Sequence, residues 1–489
     1  MNLLSRHAAF VLFLLVYAAV LAFQVDHGFA SGDGHGVVRS VQTLLGTGKI
    51  DVSRPPGHPT TEFYLFGGVG WAALKILGTE FNDKFYLIGQ ALAALATLAV
   101  FYELLLRTGA SRARALLASI CLGCSAQFLF NALDGEEFNF ALLFLLISVR
   151  LLVPATTIPR FILSICAFAL ATGCRPEFIF LAIIFPIYCL LNSKLGWKYV
   201  VASIAFVTIA VVIVWMPILL TGIRAPYTAG MGLRESIFGG VYRILFQAFT
   251  PVIFLILAMI LIRSLWHLRE ELAARNFVFA ISCAIPFVVF LVFFIHPAKA
   301  AHLLPAVPFL VILMMRRSLA LLLALASFSV LSCFVRTDVF KDRQFVGPHF
   351  VPGSYFQTVR AKPYYKLDYI RRLSGQCEDR PALIIGDAWP WDFEYQVERS
   401  TFVARQQDLH GEIKHDLPAF FTRGDHCIFL SPEAGFENSL LRDWHQKGYT
   451  LKMDAKVYRT LFARYDVHSS IASGTVDIAG LPFILFRVD

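Results

Sequence analysis

Charge is scarce in this 489-residue chain: Asp, Glu, Lys and Arg supply 16% of it, against about 25% in a soluble globular protein. So few charges cannot clothe a soluble particle of this size, which excludes a soluble enzyme. Disordered chains combine low hydrophobicity with high net charge, and that class is excluded too. No two pairs among the nine cysteines have zinc-ligand spacing. There is no Walker A sequence, no G-x-S-x-G elbow and no H-E-x-x-H helix, which argues against an ATP-driven pump. Internal repeats and low-complexity tracts are absent as well.

What fills the chain is apolar: 57% of it is hydrophobic, with 46 Phe, and the mean hydropathy is +0.64. One soluble core cannot hide that many greasy residues, so the composition implies a polytopic membrane protein. The net charge is +9, which in a soluble protein would suggest a nucleic-acid partner. Here much of the basic excess lies in short loops between apolar runs, where it sets orientation, and no nucleic-acid partner is expected.

A span needs about 20 mostly apolar residues. The first runs over Ala8–Phe23 and is read as a retained helix rather than a signal peptide. A polar stretch follows, and Glu62–Gly78 is apolar but short; it is expected to lie flat at the interface within a first outer loop covering 24–84. Charge decides this. If Glu62–Gly78 does not cross, the next span, Phe85–Leu106, ends at Arg107, Arg112 and Arg114 on the inside, as the positive-inside rule requires. Spans then follow at Ala113–Asn131, Phe138–Val153, Phe161–Thr172, Glu177–Leu191, Tyr199–Leu220, Ala248–Ile262, Phe277–Ile295, Leu303–Met315 and Ser318–Phe334. The expected fold is mainly α-helical with about eleven transmembrane helices over 1–335. The N-terminus is cytoplasmic and the C-terminus lies on the other side.

From 336 to 489 the composition turns polar, with strand-like runs at Ala382–Gly386, Cys427–Leu430 and Phe483–Val488. A C-terminal α/β domain outside the cytoplasm is expected there. An oxidising compartment would allow a Cys377–Cys427 disulfide.

Ionisable groups near a bilayer are costly and mark function by default, and on this topology they gather at the outer face. Asp33 sits among glycines in Ser31-Gly32-Asp33-Gly34-His35-Gly36, a loop in which a carboxylate can approach a ligand; Asp26 and His27 lie nearer the first span. Arg54 and His58 flank a stiff Pro55-Pro56 pair, and an arginine fork suits a phosphate. Asp134, Glu136 and Glu137 crowd a loop between two spans, where hard oxygens would hold a divalent cation or sugar hydroxyls; any metal would fall to Asp134 and Glu137. Lys299 and His302 occupy a late outer turn at headgroup level, and Arg175 stands at another outer turn. The plainer readings are solvated or rigid turns and interfacial snorkelling.

The order of these groups resembles the GT-C glycosyltransferases, polytopic enzymes with polyprenyl-phosphate sugar donors. The protein O-mannosyltransferase and lipid A aminoarabinose transferase branch is the nearest in pattern. An acid follows the first span; Arg54-Pro55-Pro56-Gly57-His58-Pro59 precedes an aromatic interfacial segment; Asp134 lies in the second outer loop; and a late turn reads Lys299-Ala300-Ala301-His302-Leu303-Leu304-Pro305. The likeness covers 1–335. It departs where relatives carry two adjacent acids in the first loop, which leaves Asp33 and Asp26 both open as the base, and the C-terminal domain matches no known acceptor module.

The resemblance implies a membrane glycosyltransferase in the bacterial inner membrane, with its active site and C-terminal domain in the periplasm. It would move a sugar from a polyprenyl-phosphate donor to a glycolipid, glycan or protein acceptor in one inverting step. Asp33 is implied as general base; Arg54, Lys299 and His302, backed by Arg175, would steady the leaving phosphate. Asp134, with Glu136 and Glu137, would orient sugar or acceptor, with His58 beside the substrate. Three other readings compete. A lipid-diphosphate glycan ligase or polymerase would use Arg224, Arg234 and Arg243 in the loop Thr221–Gln247. A secondary transporter or flippase would place its charges near the midplane. A non-catalytic scaffold would use the C-terminal domain for binding alone.

Overall fold

The computed structural model describes residues 7–25, 33–48, 61–79, 81–134, 137–153, 157–192, 197–221, 233–295, 297, 299–316, 318–341, 344–353 and 355, and six strands beyond them. The chain divides into two compact units, one of Met1–Phe29 and Ser40–Ala361, the other of Ala30–Arg39 and Lys362–Asp489.

Helices occupy every stretch expected to span. They are α1 (Ala8–Val25), α2 (Asp33–Thr47), α3 (Thr61–Ala72), α4 (Asp83–Arg107), α5 (Arg112–Gly123), α6 (Ala126–Asp134), α7 (Phe138–Leu152) and α8 (Ile158–Cys174). A 3-10 helix, Pro176–Ile183, leads into α9 (Ile184–Leu191) and α10 (Trp197–Thr221). After these come α11 (Leu233–Tyr242), α12 (Pro251–Trp266), α13 (Leu268–Ala273) and α14 (Phe277–Ile295). A second 3-10 helix, Ala300–Ala306, then precedes α15 (Val307–Met315) and α16 (Leu319–Phe334).

Local chemistry sets several of these ends. The Asn82 side chain accepts from the amides of Lys84 and Phe85 at the start of α4, satisfying amides that the first turn leaves unpaired. Ser111, Thr250 and Ser318 cap α5, α12 and α16 in the same way. Two expectations change. The glycine-rich stretch around Asp33 is not a loop but the first turn of α2: glycine permits helix as well as turn, Val37, Val38 and Val41 give the helix an apolar face that is fully buried, and a carboxylate suits a helix N-terminus. The span expected over Ala113–Asn131 is broken, with α5 and α6 meeting at 62°. Tyr17 donates to the carbonyl of Gly123 at 2.9 Å and the Cys333 thiol to that of Cys124 at 3.4 Å, so carbonyls at the break are satisfied from α1 and α16.

Among the described residues three helices are long and apolar enough to cross a membrane alone: Lys84–Arg107, Trp197–Pro217 and Phe277–Ile295. Two bent pairs raise that to five, and six shorter apolar helices accompany them. α10 presents Ile204, Phe206, Ile209 and Ile213 outward, an apolar face that water would penalise. The bundle interior is aromatic, with Phe101, Phe128, Phe138, Phe168, Phe185 and Phe279 among its largest buried side chains. Polar and small residues fix helix contacts: Ser148 of α7 meets Ser164 of α8 at 2.9 Å, and Gly89 of α4 leaves the notch that receives the Phe66 ring of α3.

After α16 the chain forms an antiparallel hairpin of β1 (Val335–Lys341) and β2 (Gln344–Pro352). In the second unit a six-stranded mixed sheet is built from β3 (Ala382–Ile385), β4 (Phe402–Ala404), β5 (Cys427–Leu430), β6 (Leu451–Met453), β7 (Ile471–Ile478) and β8 (Leu481–Val488). Its order is β4-β3-β5-β8-β7-β6. The pairs from β4 to β8 are parallel, and those from β8 to β6 antiparallel. Cys377 and the Cys427 side chain, and with them the expected disulfide, lie outside the described residues.

Candidate functional site

Pro176 organises one end of the bundle. A residue before proline is driven to extended backbone, and Arg175 adopts φ −139°, ψ 113°. That ends α8, starts the 3-10 helix and puts Glu177 in its first turn. On the neighbouring element Glu137 stands at the start of α7, with Phe138 as the first helical residue.

These positions bring together residues far apart in sequence. Arg175 Nε lies 3.3 Å from Glu137 Oε1, with side chains 4% and 1% exposed. The guanidinium carbon sits 3.5 Å from the centre of the Phe138 ring, close enough for a cation–π contact. His302 meets that ring edge-on, its centroid 5.3 Å away, and donates through Nδ1 to Glu177 Oε1 at 2.7 Å. Phe138 thus touches an arginine and a histidine, each tied to a carboxylate. Buried charges are tolerated only when paired in this manner.

His302 and Glu177 also line an apolar cavity of about 390 Å³, walled by Phe178, Val292, Phe293 and Trp215. The indole Nε1 of Trp215 is buried without a hydrogen-bond partner among the described residues. An elongated apolar group with a polar head matches such a lining.

The other expected residues fall as follows. Lys299 precedes the second 3-10 helix, and its carbonyl accepts from the His302 amide at 3.3 Å, so the two share one turn. Asp33 opens α2 and Asp134 closes α6, while the side chains of both lie outside the described residues, as do Asp26, Arg54, His58, Glu136 and Arg224. Arg234 lies in α11 and Arg243 begins the π-turn after it. Glu137 is drawn into the ion pair with Arg175. Among the described residues no three His, Cys, Asp or Glu converge as a metal site. The sequence reading missed Phe138, Trp215 and the role of Glu177. An acid opening an apolar run was a usable signal for Glu177; an aromatic ring between an arginine and a histidine leaves none.

No family model matches the chain, and no curated relative does. Its fold does match solved structures. ArnT from Cupriavidus metallidurans in the apo state superposes with a TM-score of 0.55 at 12% identity, covering 98% of both chains. The same protein bound to undecaprenyl phosphate gives 0.53 at 13% identity, again with 98% of each chain covered. The architecture is therefore that of ArnT, the branch towards which the sequence motifs point.

Proposed function

We propose that the chain is a membrane glycosyltransferase that takes a sugar from a polyprenyl-phosphate donor and passes it to an acceptor hydroxyl or amine of a glycolipid, glycan or protein. The observation that carries the reading is the His302–Glu177 pair at the edge of an apolar cavity of about 390 Å³. A prenyl chain suits the cavity and its phosphate suits the cationic turn of Lys299 and His302. That the same fold has been solved with undecaprenyl phosphate bound supports the donor class.

In the reaction, Asp33 takes the proton of the acceptor O–H or N–H. The acceptor's lone pair forms the new bond at the anomeric carbon while the bond from that carbon to the phosphate oxygen breaks, and the lipid phosphate leaves with the electron pair. Inversion follows from the single displacement. The departing phosphate needs charge stabilisation more than a proton, which we assign to His302, Lys299 and Arg54. Arg175 is held by Glu137, so its part is to fix the Phe138 ring against which His302 is oriented. Asp134, Glu136 and His58 are assigned to the sugar or acceptor. The setting we infer is the bacterial inner membrane, with the site on the periplasmic face.

The test uses the full chain in nanodiscs with labelled polyprenyl-monophosphate sugars and membrane extract. Transfer by the wild type and a loss of about 10²-fold or more in Asp33→Asn is expected. Full activity of that variant overturns the base. No turnover of any monophosphate donor by the folded protein overturns the class.

A further inference from the structure

A second cavity lies where α6, α12 and α16 approach the β1–β2 hairpin, and it shares no lining residue with the first. Its volume is about 30 Å³, room for a few small polar atoms. One end is polar, with Ser125, Gln247, Ser332 and Arg336; the other is apolar, with Leu257 and Leu325.

Arg336 is the unusual member. Its side chain is 21% exposed, yet its Nε is buried without a partner among the described residues. The nearest acid, Asp338, does not answer for it. Its carboxylate stands 3.9 Å from a terminal nitrogen of Arg336, the outer limit of an ion pair. That contact is made by Oδ2, which also accepts from the Tyr242 hydroxyl at 3.1 Å, while Oδ1 accepts from the same hydroxyl at 3.0 Å and from the amides of Val339 and Phe340 at 2.7 and 3.1 Å, and neither oxygen reaches Nε. A guanidinium stays charged in a protein, and a buried donor left unmade costs its full desolvation.

Depth and shape narrow the ligand. Arg336 is the second residue after α16, at the end of the last apolar helix. The cavity has room for a small anionic head alone. The planar arginine fork matches phosphate oxygens.

We propose that this cavity is a phosphate-binding site, with Arg336 supplying the charge and the hydrogen-bond donors; Ser125 and Ser332, whose hydroxyls donate to the carbonyls of Leu122 and Ser329 at 2.8 and 2.7 Å, and Gln247 shape its wall. The phosphate belongs either to a phospholipid headgroup or to a free ion. The site stands independently of the transferase reading.

The test is binding to the delipidated full chain in a phosphate-free detergent. Inorganic phosphate is added in one arm, with thermal stability read against chloride at equal ionic strength. Phosphatidylglycerol is added in the other, with retained lipid counted by native mass spectrometry. Stabilisation by phosphate identifies the free ion, and retention of phosphatidylglycerol alone identifies the headgroup; either supports the site. Arg336→Gln is expected to weaken binding about tenfold or more, and Arg336→Lys, which keeps the charge but not the fork, to recover only part of it. Ser332→Val, which fills the cavity and leaves the guanidinium, is expected to weaken binding as well and serves if Arg336→Gln does not fold. Binding of neither probe, or binding indifferent to both Arg336→Gln and Ser332→Val, overturns the proposal.

Discussion

Arg175 and Glu137 form an ion pair at 3.3 Å whose side chains are almost wholly enclosed by protein. Removing either charge breaks this buried pair, which costs about 3–5 kcal/mol. Glu137→Gln should therefore lower the melting temperature of the purified protein sharply, and a double change, Glu137→Gln with Arg175→Met, should recover part of the loss. Equal melting temperatures for Glu137→Gln and wild type would contradict the pairing.

Glu103 gives the contrast. It accepts from Arg107 at 2.9 Å within α4 and from Arg150 of α7, and its side chain is 46% exposed. Water screens such a pair, so Glu103→Gln should cost about 1 kcal/mol or less. Thermal unfolding of the two variants side by side checks the difference.

His302→Phe keeps an aromatic ring against Phe138 but removes the donor to Glu177. Transfer from a polyprenyl-phosphate sugar should fall by about 10²-fold or more while the protein stays folded. Glu177 loses its partner in this variant, so the melting temperature should fall as well; His302→Gln, whose amide can still donate to Glu177, is measured beside it, and lost activity at a melting temperature near that of wild type separates loss of chemistry from loss of structure.

Gly173 packs where α3, α8 and α10 meet, and a Cβ there would collide with the side chains of Thr61 and Val214. Gly173→Ala is expected to destabilise by about 1–3 kcal/mol. Gly173→Ala combined with Thr61→Ala and Val214→Ala should regain part of the stability, since it removes the opposing Thr61 hydroxyl and Val214 methyl.

At Gly353 the obstacle is backbone: a Cβ would press on the carbonyls of Ser332 and Cys333, just where the Gly353 amide donates to Phe334 at 2.8 Å. Backbone cannot step aside as a side chain can. Gly353→Ala should loosen the β1–β2 hairpin and speed proteolysis after α16, which mass analysis of the fragments would reveal.

The helices were legible because apolar runs bounded by Arg107, Arg150 or Arg316 leave few alternatives to a helix in a bilayer. Arg175, Lys299 and His302 stood out in the sequence because charge in such company is costly, and the structure sets Arg175 against Glu137 and His302 against Glu177. What stayed hidden depends on distant partners. The break between α5 and α6 lies in a largely apolar stretch, and two of the hydrogen bonds that serve it come from Tyr17 and Cys333 on other helices. Asp33 looked like a loop residue because its glycines permit a turn, and the buried valines that favour α2 follow after it. Glu137 read as one of three loop acids, since nothing near it in sequence announces Arg175.

That bend between α5 and α6 has a consequence for biogenesis. The carbonyl of Cys124 belongs to an early helix, and its donor, Cys333, sits on the last. During synthesis the two are separated by most of the bundle, so this hydrogen bond cannot form until α16 arrives. Insertion can proceed helix by helix, but the final seal is set last. A chain cut short before Cys333 therefore lacks the donor that closes the bend from the far end of the bundle.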